Sequence, residues 1–243
     1  MLALAGTATA FATGLGSIPV LLLGEQAERL RPLLWGATVG LMGVASVVGL
    51  LLPALDEDGG VTVAAGLAVG VLFLLVSRRL LSGRDVHVGE LRGAGVRRSL
   101  LVFGVLTVHS LPEGFALGTA FASDTEGLAL FIFLAIALQN VPEGTSVAIP
   151  MESAGFSGAQ QFWAAVLTSA PQPLGAVVAY LAVEQIDGLL PFSFAFAAGA
   201  MLALVVVELV PEAYSRGGRP LAAAGTVAGA ALMLALSVVL GVE

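Results

Sequence analysis

Long apolar stretches follow one another along this chain, separated by short segments that hold charged residues or glycine. An apolar stretch of about 20 residues is the length that an α-helix needs to cross a lipid bilayer. A helix also satisfies its own backbone hydrogen bonds in lipid, and the strict alternation of a membrane β-strand is absent here. The sequence therefore predicts an all-α polytopic membrane protein. Its eight transmembrane helices are expected near residues 2–23, 33–53, 61–81, 97–122, 128–151, 161–183, 190–213 and 220–242.

The composition supports lipid as the solvent and limits the chemistry available inside it. Only 11% of the 243 residues are charged, whereas a soluble domain carries about 25%. The chain has no cysteine, so a metal site would have to use nitrogen and oxygen ligands. The sequence shows no basic stripe of the kind that binds nucleic acid.

The charges between the apolar stretches predict how the chain is threaded through the membrane. All ten basic residues are arginines, and each falls in the first, third or seventh connection or at an adjoining helix end. The second, fourth and sixth connections carry only acidic residues. Because cytoplasmic connections collect basic residues, we expect a multi-pass protein of the cell membrane with both termini extracytoplasmic. Residues 1–243 would form a single transmembrane domain, with a flexible cytoplasmic loop at about residues 82–96.

One six-residue pattern occurs twice inside the predicted spans. His109-Ser-Leu-Pro-Glu-Gly114 in the fourth stretch recurs 30 residues later as Gln139-Asn-Val-Pro-Glu-Gly144 in the fifth. In each copy the first residue and the glutamate are four apart, so they share one helix face. A short connection makes the two helices antiparallel neighbours, which allows both pairs to meet. One imidazole, one amide and two carboxylates suit a divalent ion such as zinc. The predicted metal ligands are His109, Glu113, Gln139 and Glu143.

Proline and glycine in both copies indicate how such a site is built. A proline inside a helix removes a hydrogen bond and frees the carbonyl group four residues earlier. Pro112 and Pro142 would therefore kink the fourth and fifth helices, opening space and exposing backbone oxygens, and discontinuous helices are frequent at mid-membrane binding sites of transporters. Gly114 and Gly144 would let these helices approach their neighbours closely.

Three acidic residues, Glu113, Glu143 and Glu208, fall clearly inside the predicted spans, where a charge is costly and marks a site or a pathway. The residues alone leave three functions open. The first is transport of a divalent metal without enzymatic activity. The second is an intramembrane metal-dependent hydrolase, which usually needs more than the one intramembrane histidine, His109. The third is a proton or sodium channel, or a transporter that uses Glu113 and Glu143 as carriers.

The two copies resemble the signature motifs of the fourth and fifth helices of the ZIP (Zrt-, Irt-like protein) family of divalent-metal transporters, prokaryotic type. Three further segments are similar to the family's first-, sixth- and seventh-helix motifs: Thr13-Gly-Leu-Gly-Ser-Ile-Pro19, Ser169-Ala-Pro-Gln-Pro-Leu-Gly175 and Glu208-Leu-Val-Pro-Glu212. The resemblance covers nearly the whole chain. It implies eight helices in a 3+2+3 arrangement with inverted repeats, in which helices 1, 4, 5 and 6 move against helices 2, 3, 7 and 8.

The resemblance also implies a function. Family members move zinc, iron, manganese or cadmium toward the cytoplasm by alternating access, often as homodimers and without a cofactor. Zinc is the first expectation for this chain. The family's second metal position falls here on Ser110, Asn140 and Gln172, where an amide replaces the usual carboxylate of the sixth helix. Because neutral oxygens bind dications more weakly than carboxylates, we expect one tightly bound ion and at most a weak second site. The exit route to the cytoplasm would include Glu208 and Glu212.

Overall fold

The structure is a computed structural model that describes residues 1–57, 60–82, 94–186, 188–215 and 218–242. For residues 25, 81–82 and 94–106 it describes the backbone alone. The described residues are almost entirely helical and contain no strand. They form eight helices, which we number in chain order: α1 Leu2–Leu23, α2 Ala27–Glu57, α3 Val61–Ser82, α4 Ala94–Ala122, α5 Leu128–Ser153, α6 Gly158–Gln185, α7 Leu189–Tyr214 and α8 Arg219–Leu240.

Seven of these helices are long and apolar enough to cross a membrane by length and composition. The remaining one, α4, is 29 residues long. Each of the eight overlaps one predicted stretch, so the prediction of an all-α polytopic membrane protein is confirmed. The predicted loop at about residues 82–96 falls mostly on residues 83–93, which lie outside the described residues, and its two ends belong to α3 and α4.

The start of α2 differs from its predicted position. The helix begins at Ala27 rather than near residue 33, and Pro32 lies inside it. Glu28 and Arg31 stand three residues apart in this first part, with 3.3 Å between Glu28 Oε1 and Arg31 Nη1. Such a pair supports helical backbone in a polar sequence. Arg31, expected in the first connection, is therefore part of a helix, and it is buried.

Two helices are interrupted near the buried polar residues of the bundle. A turn at Gly16 divides α1, three residues before Pro19. A turn at residues 169–170 divides α6, directly before Pro171. Each proline lacks the N–H group that would continue the preceding helix, and each fits the first turn of the helix that follows.

The backbone of α4 and α5 stays helical at their prolines, and the predicted kinks stay predictions. Both helices run continuously through Pro112 and Pro142. A single proline bends a helix without always ending it. The interrupted α6 has Pro171 and Pro173 close together, and α1 combines a proline with a nearby glycine. Because α4 and α5 also have a glycine two residues after their prolines, a proline with a nearby glycine does not by itself break a helix here.

Close backbone contacts hold the helices in pairs. A Cβ atom added at Gly144 of α5 would collide with the carbonyl oxygen of Thr13 in α1, and one at Gly114 of α4 with the carbonyl oxygen of Gln172 in α6. The prediction that these two glycines permit close approach is therefore confirmed. Contacts of the same kind join α2 to α8 and α3 to α7. Their glycines are Gly36, Gly40, Gly225 and Gly229 in the first pair, and Gly66, Gly70 and Gly199 in the second.

An apolar layer closes one side of the bundle interior. Leu117 of α4 and Phe131 and Ile132 of α5 are at most 1% exposed and belong to the main hydrophobic core. They lie toward the C-terminal end of α4 and the N-terminal end of α5. Glu113 precedes this layer in α4 and Gln139 follows it in α5. The one buried polar side chain of α4 beyond Leu117 among the described residues is Thr119, which donates to Ser193 Oγ at 3.1 Å.

Candidate metal-binding site

Four polar side chains lie together in the middle of α4 and α5. His109 and Glu113 belong to α4, Gln139 and Glu143 belong to α5, and each is at most 5% exposed. Gln139 Nε2 donates a hydrogen bond of 2.7 Å to Glu113 Oε1. The Glu113 carboxylate is also close enough to His109 and to Glu143 to interact with both electrostatically. The packing of α4 against α5 thus brings the two pairs of the repeated pattern into one buried group.

Three of these side chains carry buried polar atoms that have no hydrogen-bond partner among the described residues: His109 Nδ1, Gln139 Oε1 and Glu143 Oε1. Leaving a buried polar atom unpaired costs about 1–3 kcal/mol. The other ring nitrogen of His109, Nε2, lies 3.4 Å from Glu208 Oε2. A neutral imidazole that donates from Nε2 presents a lone pair on Nδ1. All three unpaired atoms can therefore offer an electron pair to a cation.

The residues expected to form a weak second site make a network of amides beside Glu113. Gln172 Nε2 of α6 donates to Glu113 Oε2. Asn140 Nδ2 donates to Gln172 Oε1 at 3.2 Å, and Gln172 Nε2 lies 3.4 Å from Asn140 Oδ1. Both carboxylate oxygens of Glu113 thus accept from amides, and the oxygens of Asn140 and Gln172 each accept from the other side chain.

Side chains of α4 and α5 also bind backbone carbonyl groups of α1 and α6, two of them at the interruptions. Ser110 Oγ, the third residue of the expected second site, donates to the carbonyl oxygen of Thr168 at 2.9 Å. Thr145 Oγ1 donates to the carbonyl oxygen of Gly16 at 2.8 Å. Asn140 Nδ2 donates to the carbonyl oxygen of Thr9 at 2.7 Å. These bonds fix α1 and α6 against the helices that carry the candidate ligands. They also occupy the donor groups of Ser110 and Asn140.

Within the described ranges, no group of three or more histidine, aspartate or glutamate side chains is arranged to hold a metal ion. The hydrogen bonds explain this, because Glu113 accepts from the amides of Gln139 and Gln172 while His109 Nε2 faces Glu208. To bind an ion together with Glu113, Gln139 would have to turn its unpaired oxygen toward it. The four-ligand set therefore stays a prediction.

Glu208 and Glu212 lie near the C-terminal end of α7. Glu208 belongs to the π-helical segment Val205–Leu209, a wide turn of a kind often found at functional sites. Its carboxylate contacts His109, and Glu212 Oε1 lies 2.8 Å from Nη2 of Arg31 in α2. No sequence pattern indicated the His109–Glu208 contact. The signal available for Arg31 was its spacing of three residues from Glu28 beside an apolar stretch.

The sequence of this chain is similar to those of known zinc transporters. Residues 82–237 match the family model described as ZIP Zinc transporter. The chain is 35% identical to the zinc transporter GufA of Myxococcus xanthus, over 98% of this chain and 96% of that protein. It is 34% identical to the zinc transporter ZIPB of Bordetella bronchiseptica, over 98% of this chain and 81% of that protein. A putative zinc transporter of Arabidopsis thaliana is 34% identical over 95% of this chain, which spans 37% of that protein.

Proposed function

This chain belongs to the ZIP family, and from that premise we propose that it moves a divalent metal ion across the cell membrane toward the cytoplasm by alternating access. Zinc is the proposed substrate because relatives of this chain are named as zinc transporters. Iron, manganese and cadmium are the other candidates. The ion would be bound midway through the membrane, between α4 and α5. Its proposed ligands are His109, Glu113, Gln139 and Glu143.

The observation that carries this proposal is the set of buried atoms without hydrogen-bond partners among the described residues. It comprises one imidazole nitrogen, one amide oxygen and one carboxylate oxygen, on His109, Gln139 and Glu143. Nitrogen and oxygen ligands of these types suit zinc. A dication among them would supply the missing partners, and it would offset the repulsion between the carboxylates of Glu113 and Glu143.

The contrast between the two sides of the site supports the proposed direction. The apolar layer around Leu117 and Phe131 separates the site from the end of the bundle that the arginine distribution assigns to the outside. On the other side, polar side chains become steadily more exposed, from 5% at His109 through 26% at Glu208 to 33% at Glu212. A polar route that opens toward one side is what release to the cytoplasm requires. The 3+2+3 arrangement, the relative motion of the two helix sets and a homodimer stay predictions.

Metal flux into proteoliposomes tests the proposal. The purified protein should carry zinc inward along its gradient, and replacing His109 or Glu143 by alanine should abolish uptake while leaving the protein folded and inserted. Each change removes one of few strong ligands and leaves the remaining carboxylate without its counter-charge. The matched control is Glu184→Ala, which removes an exposed carboxylate at the end of α6 and should leave uptake unchanged.

Two results would contradict the proposal. The first is zinc uptake at the unmutated rate by Glu143→Ala. The second is a proton or sodium current that needs no divalent metal and disappears in Glu143→Ala, which would favour a channel or a carrier of those ions. Running the assay with zinc, iron, manganese and cadmium separately would also give the order of preference.

A further inference from the structure

The inner end of the proposed exit route contains arginine as well as glutamate. Arg31 of α2 contacts Glu212 at 2.8 Å and Glu28 at 3.3 Å. Arg78 of α3 is close enough to Glu208 to interact with it electrostatically. A route that releases a dication thus holds fixed cations opposite its acids, although like charges repel the ion that must pass. This arrangement needs an explanation that the metal ligands do not supply.

Arg31 is the better placed of the two arginines. It is only 7% exposed, near the start of α2. A buried charge is costly unless it is paired, and the guanidinium of Arg31 is paired with Glu28 and Glu212. It stays protonated under all ordinary conditions, so its charge is a constant of the site. The first part of α2 packs against the last part of α7, which holds the Arg31–Glu212 contact in place.

The charges around this contact decide what it does to a passing ion. Glu208 and Glu212 are four residues apart on α7, about one turn of helix. Together they carry two negative charges, which match one divalent cation. Arg31 is shared between Glu212 and Glu28. Arg78 interacts with Glu208, so the three acids and two arginines together carry one net negative charge. This group then attracts a dication without neutralising it.

We propose that Arg31 competes with the transported ion for the carboxylate of Glu212. Its guanidinium binds this carboxylate, so that an ion leaving His109 and Glu208 continues to the cytoplasm and is not retained at α7. This inference rests on the proposed function, because it takes a divalent metal as the ion that leaves. Arg31 is a positioning residue in this scheme and touches a ligand of the exit route rather than the ion. Its charge sets how long the ion stays, and the ligands between α4 and α5 set which ion enters.

Counting bound zinc tests the inference directly. Purified protein is equilibrated with zinc by dialysis, the bound metal is counted by elemental analysis, and zinc release is timed after dilution into chelator. Arg31→Gln should bind one zinc ion more than the unmutated protein. Its release should slow by at least about tenfold, equivalent to about 1.4 kcal/mol of lost competition. The double variant Arg31→Gln with Glu212→Gln should lose the extra ion, and Arg31→Lys, which keeps the charge, should retain the unmutated count.

Further measurements distinguish an error in the inference from misfolding of a variant and from an error in the proposed function. If Arg31→Gln does not fold, Glu212→Gln alone decides: the number of bound ions should stay the same, because Arg31 already occupies that carboxylate. A lower count in Glu212→Gln, or an unmutated count and release rate in Arg31→Gln, would overturn the inference. If the unmutated protein neither binds nor transports zinc, the proposed function fails first. If it does both and Arg31→Gln behaves identically, only the role of Arg31 is refuted.

Discussion

Replacing Gln172 by glutamate would place a second carboxyl group directly against Glu113. In the unmutated protein Gln172 Nε2 donates to Glu113 Oε2, so the new carboxylate oxygen would take the place of a hydrogen-bond donor. Two unit charges at a hydrogen-bond separation of about 3 Å repel by about 5 kcal/mol at an effective dielectric constant near 20. A proton or a second dication must offset this repulsion. The variant should therefore gain a second, weaker metal site that uses Glu113, Asn140 and the new carboxylate.

The assay is a count of bound ions combined with thermal melting. The unmutated protein should bind one ion between α4, α5 and α6, because the oxygens of Asn140 and Gln172 are hydrogen-bonded to each other's amide. Gln172→Glu should bind two, with the second site saturating at higher metal concentration. Without metal this variant should melt below the unmutated protein, and saturating zinc should raise its melting temperature by more than it raises that of the unmutated protein.

Gln172→Met is the matched control, because it removes the amide and adds no charge. It should lose the hydrogen bond to Glu113 and still bind one ion. Crystals grown in excess zinc or cadmium, examined by anomalous scattering, would locate the ions. Two fully occupied positions in the unmutated protein would refute the reasoning. A single ion in Gln172→Glu, with no added dependence of its melting temperature on zinc, would also refute it.

Two further predictions concern the fold. A tag at either terminus should be accessible from outside the cell, and a protease site inserted within residues 82–96 should be cleaved from the cytoplasm. This orientation places all ten arginines on the cytoplasmic side. Labelling of either terminus from the cytoplasm instead would refute the predicted topology. Gly144→Ala should lower the free energy of unfolding by about 1–3 kcal/mol, because the added methyl group collides with the carbonyl oxygen of Thr13. Gly43→Ala, where an added Cβ meets no atom within 4 Å, is its control and should melt at or above the unmutated temperature; equal melting of the two variants would refute the close contact.

The helices could be predicted because lipid leaves few alternatives for a long apolar stretch. The boundaries that failed are those where a polar sequence continues a helix, as at Ala27–Arg31, where a side-chain ion pair replaces apolar burial. The interruptions of α1 and α6 were not predicted. Pro142 lies in an uninterrupted helix and Pro19 just after an interruption, although each proline has a glycine within three residues, so the local sequence does not specify which helix breaks.

The candidate site could be predicted as far as its two helices determine it. A spacing of four residues puts His109 beside Glu113 on α4, and the short connection brings Gln139 to meet them. The partners of these side chains could not be predicted, because they depend on how distant helices pack. Glu208 reaches His109 from α7, and Gln172 reaches Glu113 from α6. No local pattern specifies which of several amides will donate to a buried carboxylate.

The glycine contacts between helices have a mechanical consequence. Backbone lies on backbone between α1 and α5, between α4 and α6, between α2 and α8, and between α3 and α7. Across the boundary between α2 and α5, Gly49 meets the side chains of Phe131 and Ile132 instead. Side chains can change rotamer to let a surface slide, whereas interlocked backbones cannot. A displacement of α2 against α5 would therefore need only side-chain rearrangement at Gly49, whereas one within any of the four glycine-contact pairs would force backbone against backbone.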